Sequence, residues 1–421
     1  MNSYLPAWAG RNYRIQTAAT VVSGLGNAAA PIATAFAVLN AGWGTAEVGY
    51  VTAARTVPLV ALLLVGGAIA DRLPRHLVMV GANAFNALSQ AALAALVLLG
   101  QPSLWALVVL SAAGGAGQAF YAPAAEGVIL RAVAPEHAAK AFSVFKMALN
   151  GAQIGGAALG GALVAVVGPG WVLAVDAGCF AVAAALRVLL EPEAADARGP
   201  ERPGLVHELR VGWREFRSRQ WLWAIVVQFS LMNACTMAVE AVYGPVVAKE
   251  RMGGAGAWGL AMAALSVGMV SSGVLMARWE PRRVLLAGNR GVFLFGLPAL
   301  ALALRLPLAP VVVAMFLSGV GVTVFVVGWM VTLQQEIPED LLSRISAYDS
   351  FGSFALLPVG TALAGPAAQL MGLSGALWAC AAISLVLAAA ALLVPEVRTL
   401  ERTAASGAHT AAAQPEPATS G

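Results

Sequence analysis

Arg55 and four carboxylates, Glu126, Asp176, Glu240 and Asp349, stand in or close to long apolar stretches of this 421-residue chain. A charge in an apolar medium is costly, so such a residue faces a cavity or a partner and is a functional candidate by default. Two kinds of chemistry suit the set. Opposite charges can pair as a latch, and a partly buried carboxylate can carry a proton. For the second role Glu240 is the first choice and Asp349 the second, whereas Asp176 reads as a packed structural residue. Asp71 and Arg75 form a further group, four residues apart and so one helical turn if that segment is helical. The plainer reading of Arg72 and Arg75 is as determinants of membrane topology.

The elements that must position these residues follow from composition. Hydrophobic residues make up 59% of the chain, charged residues only 11%, and mean hydropathy is +0.78. Soluble domains carry about 25% charged residues, so a soluble, disordered or collagen-like chain is excluded. A membrane-spanning helix needs about 20 apolar residues. Twelve such runs are expected, at 15–40, 47–70, 76–100, 103–130, 140–167, 170–190, 221–247, 258–278, 284–305, 308–333, 344–370 and 374–395. Turn signals such as Gly168-Pro169-Gly170 separate them. The fold class is therefore an all-α polytopic membrane protein of twelve helices, with no alternating barrel strands. With both termini placed inside, 21 of the 25 Lys and Arg residues lie in or beside cytoplasmic segments, against three outside (Lys249, Arg251, Arg305). This imbalance puts both ends in the cytoplasm. The basic residues are nearly all Arg, which with the Ala and Gly excess points to a GC-rich bacterial genome. The N-terminus lacks the features of a cleaved signal peptide. Cys179, Cys235 and Cys380 are dispersed in apolar runs, so neither a disulfide framework nor a metal site is expected.

Residues 1–190 are expected to form one six-helix bundle and 221–397 a second. Between them, 191–220 is a cytoplasmic linker whose Leu205, Leu209, Trp213 and Phe216 recur at helical spacing. Either an amphipathic helix on the inner leaflet or a plain connector fits. The tail, 398–421, is low in complexity and expected to be disordered. A shift of about 204 residues superimposes the halves. Gly156-Ala-Ala-Leu-Gly160-Gly161 followed by Gly168 matches Gly360-Thr-Ala-Leu-Ala-Gly365 followed by Gly372. Two parallel six-helix repeats are one known transporter architecture.

The stretch Gly66-Gly67-Ala-Ile-Ala-Asp71-Arg72-Leu-Pro-Arg75-His76 resembles the signature loop of the major facilitator superfamily. Gly156 to Gly161 is similar to a glycine-rich stretch of its exporters, although Ala157 replaces the usual Pro. Phe120-Tyr-Ala-Pro123-Ala resembles the branch with enterobactin-type siderophore exporters and macrolide-efflux-like proteins. The resemblance implies an inner gate built from Gly67, Asp71, Arg72 and Arg75, with Asp71 at the start of helix 11 near Asp349 and Arg75 paired with Glu126. The physical logic is that a helix N-terminus favours an anion and Arg can bridge two carboxylates. It also implies that helices 2 and 7 approach when the outer side closes. Arg55 and Glu240 both lie about 10–12 Å below the outer surface at the rise of a helix, so they are candidates for an outer latch. The alternative is that Arg55 is satisfied within its own half by Asp176.

The resemblance further places helices 1, 4, 7 and 10 around the substrate. Candidate cavity residues there and in helix 5 are Asn27, Gln118, Tyr121, Asn150 and Gln153 in the first half. In the second half they are Asn233, Thr236, Trp329 and Gln334. With Phe229, Phe325, Met237 and Met330 they fit a mostly apolar pocket with a few orienting groups. For any one of them, helix–helix hydrogen bonding or packing is the plainer role.

Enzyme signals are absent: neither GxxxxGK[ST] nor HExxH occurs, so no P-loop nucleotide motor or zinc protease is indicated. The expectation is a secondary-active transporter, foremost a proton-coupled exporter of a small amphipathic molecule such as a drug, siderophore or secondary metabolite. No bound cofactor is needed, the proton gradient supplying the drive. The partners expected are that substrate and the bilayer, with no nucleic acid, for a monomer in the bacterial cell membrane. An importer of the same fold, or a non-transporting membrane receptor or scaffold, are the alternatives.

Overall fold

The computed structural model describes residues 8–70, 74–100, 102–134, 137–191, 213–276, 278–279 and 281–401. Asp71, Arg72, most of the linker and the tail beyond Glu401 lie outside them, and so does the side chain of Glu126. The described residues are helical, with no strand among them. The first half comprises α1 (Arg11–Asn40), α2 (Thr45–Ala70), α3 (Arg75–Leu98), α4 (Leu104–Arg131), α5 (Ala138–Val167) and α6 (Pro169–Val188). The second comprises α7 (Gln220–Arg251), α8 (Ala255–Met276), α9 (Val284–Ala303), α10 (Leu308–Glu336), α11 (339–371) and α12 (373–391). Ten segments are long and apolar enough to cross a membrane. The last of them, Tyr348–Ala391, holds a span on each side of Gly372, and α2 completes the twelve.

Local chemistry sets the breaks. Gly168 (φ 85°) separates α5 from α6, and its repeat partner Gly372 (φ 73°) separates α11 from α12. A Cβ at either would meet nothing within 4 Å, so the positive φ rather than lack of space calls for glycine. In α7 a π-helical turn, Val239–Tyr243, precedes Pro245. Proline has no N–H to return to the carbonyl four residues back, which accounts for the local widening.

Helix packing repeats between the halves. In the first, α2 packs on α4, α3 on α6 and α4, and α1 on α5 and α6. In the second, α8 packs on α10, α9 on α10 and α12, and α7 on α11. The glycines matched by the sequence repeat do equivalent work. Gly156 of α5 faces the Leu25 carbonyl of α1, and Gly360 of α11 faces the Ala234 carbonyl of α7, each too close for a Cβ. Gly160 likewise receives Ala29. Side chains such as Trp105 (78% exposed) and Leu370 (87%) point outward, which is a solvent boundary inverted for lipid.

The halves meet along two seams related by the same repeat: α5 against α8, and α11 against α2. In the first seam a Cβ on Gly259 would lie 2.6 Å from the Gly161 Cα, and in the second a Cβ on Gly49 would lie 2.9 Å from the Thr361 carbonyl oxygen. Gly365 fits against the Ala46 backbone in the second seam. These contacts sit toward the face opposite the chain termini. On that face one buried apolar cluster crosses both halves, running from Phe36 and Val48 to Val164, Tyr243, Trp258 and Ala364. Lys249 at the end of α7 also donates to the Leu39 carbonyl at the end of α1, a favourable place for a cation. On the terminus-bearing face the apolar clusters stay separate. One belongs to the second half (around Trp221, Leu285 and Ile345), and two small ones belong to the first. Among the described residues, apolar packing joins the halves on the first of these faces and no apolar cluster joins them on the second.

In the linker, 213–218 is a helical turn whose Phe216 is buried beside Tyr348, with Trp213 stacked on it and half exposed. The rest of the expected amphipathic segment lies outside the described residues.

The seam yields a direct comparison of one substitution at two glycines. Gly161→Ala should cost about 1–3 kcal/mol by forcing α5 away from α8. Gly151→Ala, where a Cβ meets nothing within 4 Å, should be neutral. Thermal unfolding of the purified variants in detergent measures both, and equal melting temperatures would remove the seam as a packing constraint.

Candidate functional site

Two pockets occupy equivalent positions in the two halves. The first, about 620 Å³, opens between α1, α4 and α5. The second, about 610 Å³, opens between α7, α10 and α11, the repeat partners of those helices. Asn27, Gln118, Tyr121 and Gln153 line the first pocket together with Thr20, Ser23 and Lys146. The second is aromatic: Phe229 stacks on Phe325 with ring centroids 4.8 Å apart, and Phe325 stacks on Trp329 at 6.3 Å. Met330, Phe354 and Asp349 complete it. Asp349 accepts from the Trp329 indole Nε1 at 3.0 Å and from Ser353 Oγ at 3.3 Å. A third and smaller space, about 230 Å³, lies between α7, α9 and α12 and holds Thr236 and Glu240 beside Cys235, Phe295 and Ser384.

The remaining candidates are placed otherwise. Asn233 donates to the Ser353 carbonyl at 3.0 Å, tying α7 to α11. Asn150 and Gln334 are exposed on their helices and line none of these three pockets. Arg75 opens α3 directly after Pro74. Its relation to Asp71 and Glu126 falls on residues outside the described set.

Arg55 and Glu240 do not meet in this conformation. Arg55 Nη2 donates to Asn27 Oδ1 at 2.7 Å, and Asp176 is the charge that acts on it through space. Glu240 lies at the π-turn of α7, in the cavity of its own half. Among the described residues neither a hydrogen bond nor an ion pair reaches its carboxylate; only its backbone carbonyl is engaged, by Trp258 Nε1 at 3.2 Å. The physical reason is local. Asn27 on neighbouring α1 offers Arg55 an acceptor without crossing the seam. Asp176 is itself held by Gln90 Nε2 at 2.8 Å and packs on Gly26.

One group escaped the sequence reading. Arg187, in the last turn of α6, counts there as one more basic residue near a loop, yet it is 0% exposed. Its Nε donates to Gln16 Oε1 at 3.1 Å, and its Nη2 donates to Thr20 Oγ1 at 3.0 Å and to the Tyr121 hydroxyl at 2.8 Å. The guanidinium also lies 4.8 Å from the Tyr121 ring centroid, within cation–π range. Among the described residues no carboxylate is its partner. An available signal was that Arg187 falls inside the apolar run 170–190 rather than after it.

The forked geometry gives a test that separates a buried anchor from a topology charge. Lysine keeps the charge of Arg187 but cannot supply the planar fork to three acceptors. Arg187→Lys should therefore destabilise the protein by about 1–3 kcal/mol, read as a lower melting temperature of the purified protein at unchanged membrane orientation. A Lys variant as stable as wild type would return Arg187 to the role of an orientation signal.

Comparison with known proteins agrees with this architecture. The family model described as Major Facilitator Superfamily matches residues 17–355. The chain is 27% identical over 403 residues to the multidrug efflux pump Tap of Mycolicibacterium fortuitum, covering 91% of this chain and 95% of that one. It is 26% identical over 347 residues to the uncharacterised transporter YfiS of Bacillus subtilis, covering 79% and 80%. Among solved structures, the nucleoside transporter NupG superposes with a TM-score of 0.72 at 12% identity, covering 93% of this chain and all of that one. A bacterial homologue of the iron transporter ferroportin superposes with a TM-score of 0.70 at 17% identity, covering 91% and 98%. The fold, the span count and the family match converge, and the chain belongs to the major facilitator superfamily.

Proposed function

We propose that this transporter is a proton-coupled exporter of small amphipathic molecules working by alternating access. The observation that carries the reading is the one-sided seal: apolar packing joins the halves on the face opposite the termini, while among the described residues no apolar cluster joins them on the other, and each half holds its own pocket. Such a molecule must exchange the sealed face for the split one to move a ligand across. The excess of Arg and Lys on the terminus-bearing side makes that side cytoplasmic, so the open pockets receive a cytoplasmic molecule. Export is supported by the name of one relative, the multidrug efflux pump Tap, and a second, a multidrug resistance protein of Edwardsiella ictaluri, is 27% identical over 278 residues.

Glu240 is the coupling carboxylate in this proposal. It sits in a small cavity beside the seal, among the described residues has no cation paired with it, and stands on a π-turn, a feature frequent at functional sites. Proton arrival would let the α7 segment repack as the seal opens. Asp349 is the less suitable carrier, because both of its oxygens already accept hydrogen bonds.

Cells expressing the protein should accumulate less of a panel of fluorescent amphipathic compounds than cells without it, and a protonophore should abolish the difference. Glu240→Gln should bind the same compounds when purified yet lose pH-driven efflux. Efflux that persists without a proton gradient would overturn the coupling, and full pH-driven efflux by Glu240→Gln would remove Glu240 from it.

A further inference from the structure

The two pockets are equivalent by helix and opposite in chemistry, and the first is a donor site. The described residues that line it include no carboxylate, and Lys146 is among them. Behind its wall lies Arg187, fully buried and, among the described residues, with no acidic partner. A count of hydrogens shows what that cation does to the pocket. Arg187 Nη2 gives its two hydrogens to Thr20 Oγ1 and to the Tyr121 oxygen. Those two hydroxyls are 3.0 Å apart and share one hydrogen bond, in which either can be the donor. Two hydroxyl hydrogens are therefore available and only one is used, because no further acceptor among the described residues bonds either group. The second is left on a pocket-lining hydroxyl, next to a buried positive charge.

Asn27 adds to this. Its carbonyl oxygen accepts from Arg55, so its amide N–H groups are the side-chain donors it still has to offer. Thr20 and Asn27 are seven residues apart, two turns along one face of α1, and both line the pocket. A hydroxyl hydrogen, an amide donor and an ammonium thus border one space, each backed by a guanidinium or itself cationic. Charge-assisted hydrogen bonds to an oxyanion are the strong kind. Across the cleft, the stacked Phe229, Phe325 and Trp329 offer apolar area and ring faces. The Asp349 carboxylate there is already capped by Trp329 and Ser353, so it competes little for a ligand cation.

We infer that the transported molecule is an amphipathic anion. Its carboxylate or other oxyanion is held by Tyr121, Thr20, Asn27 and Lys146 in the first half, and its aromatic or apolar body lies against the aromatic pocket of the second. The inference rests on the transporter reading above but is tested apart from it, by binding to the purified protein rather than by efflux.

The probes are a matched set: naphthylacetate, its methyl ester and naphthylmethyl-trimethylammonium. Quenching of tryptophan fluorescence reports binding near Trp329. Naphthylacetate should bind about tenfold or more tightly than either of the others, as expected for a charge-assisted site. Tyr121→Phe and Lys146→Gln should each weaken the acid several-fold and leave the ester unchanged. Lys146 lies outside the Arg187 cluster, so the second variant keeps the test open if the first does not fold. Equal binding of acid and ester, preference for the cation, or binding of none of the three would overturn the anion site. An efflux assay with a protonophore would still decide separately whether the protein is an exporter.

Discussion

The structure depends on backbone meeting backbone where the two six-helix halves touch. At Gly161 against Gly259, and at Gly365 and Gly49 against α2 and α11, the helices are closer than any side chain allows. In lipid there is no hydrophobic gain from bringing two apolar helices together, so association relies on dispersion contacts that only small residues make dense. Among the described residues these contacts are confined to one face, which is thereby closed. A seam of glycines holds no interlocking side chains that would have to unlock before the halves part. It is firm when closed, yet its loss exposes only small surfaces. Larger side chains interdigitated across the seam would make one conformation too stable to leave.

The pockets follow from that arrangement. Because α1, α4 and α5 are repeated as α7, α10 and α11, each half presents one pocket to the cleft. The repeat fixes their position and leaves their chemistry free. In the first half a buried guanidinium and its hydroxyl partners make the wall donor-rich, and in the second a run of aromatic rings makes it apolar. The isolated Arg187 is costly in a low-dielectric setting unless hydrogen bonds compensate it. Its three protein acceptors do so in part, and its Nη1 is left without one. Glu240 is the complementary case, a carboxylate in a small cavity that among the described residues has no cation paired with it, placed next to the seal.

Much of the fold was legible in the sequence because lipid imposes a rule on every span. A run of about 20 apolar residues has few alternatives to a helix, and the twelve runs correspond to twelve helices. The internal repeat was legible for a second reason. Gly156, Gly161 and Gly168 recur as Gly360, Gly365 and Gly372 because each pair meets the same backbone demand. Breaks inside helices were not visible: the π-turn of α7 and the 3-10 turn Phe293–Gly296 of α9 depend on packing more than on local preference. The site was legible in part. Asn27, Gln118, Tyr121 and Gln153 share a pocket, whereas Asn150 and Gln334 face elsewhere, since residue type and helix number do not give rotation about the helix axis. The partner of Arg55 was not legible either. Asn27, Asp176 and Glu240 lie within reach in sequence terms, and only the packing of α1 against α2 favours Asn27. Arg187 reads from sequence as a charge at a helix end, and whether such a residue reaches water or turns inward depends on Gln16, Thr20 and Tyr121 on other helices.

The central claim is that transport requires the sealed face to open. A Cβ on Gly256 of α8 would lie 3.6 Å from the Ala165 Cβ of α5, within the span of a disulfide, about 3.5–4.5 Å between Cβ atoms. The measurement is transport by Ala165→Cys with Gly256→Cys, on a background lacking Cys179, Cys235 and Cys380, before and after oxidation. The account predicts that the oxidised protein still binds substrate from its open face but does not transport it, and that a reductant restores transport. Full transport with the cross-link intact would contradict it.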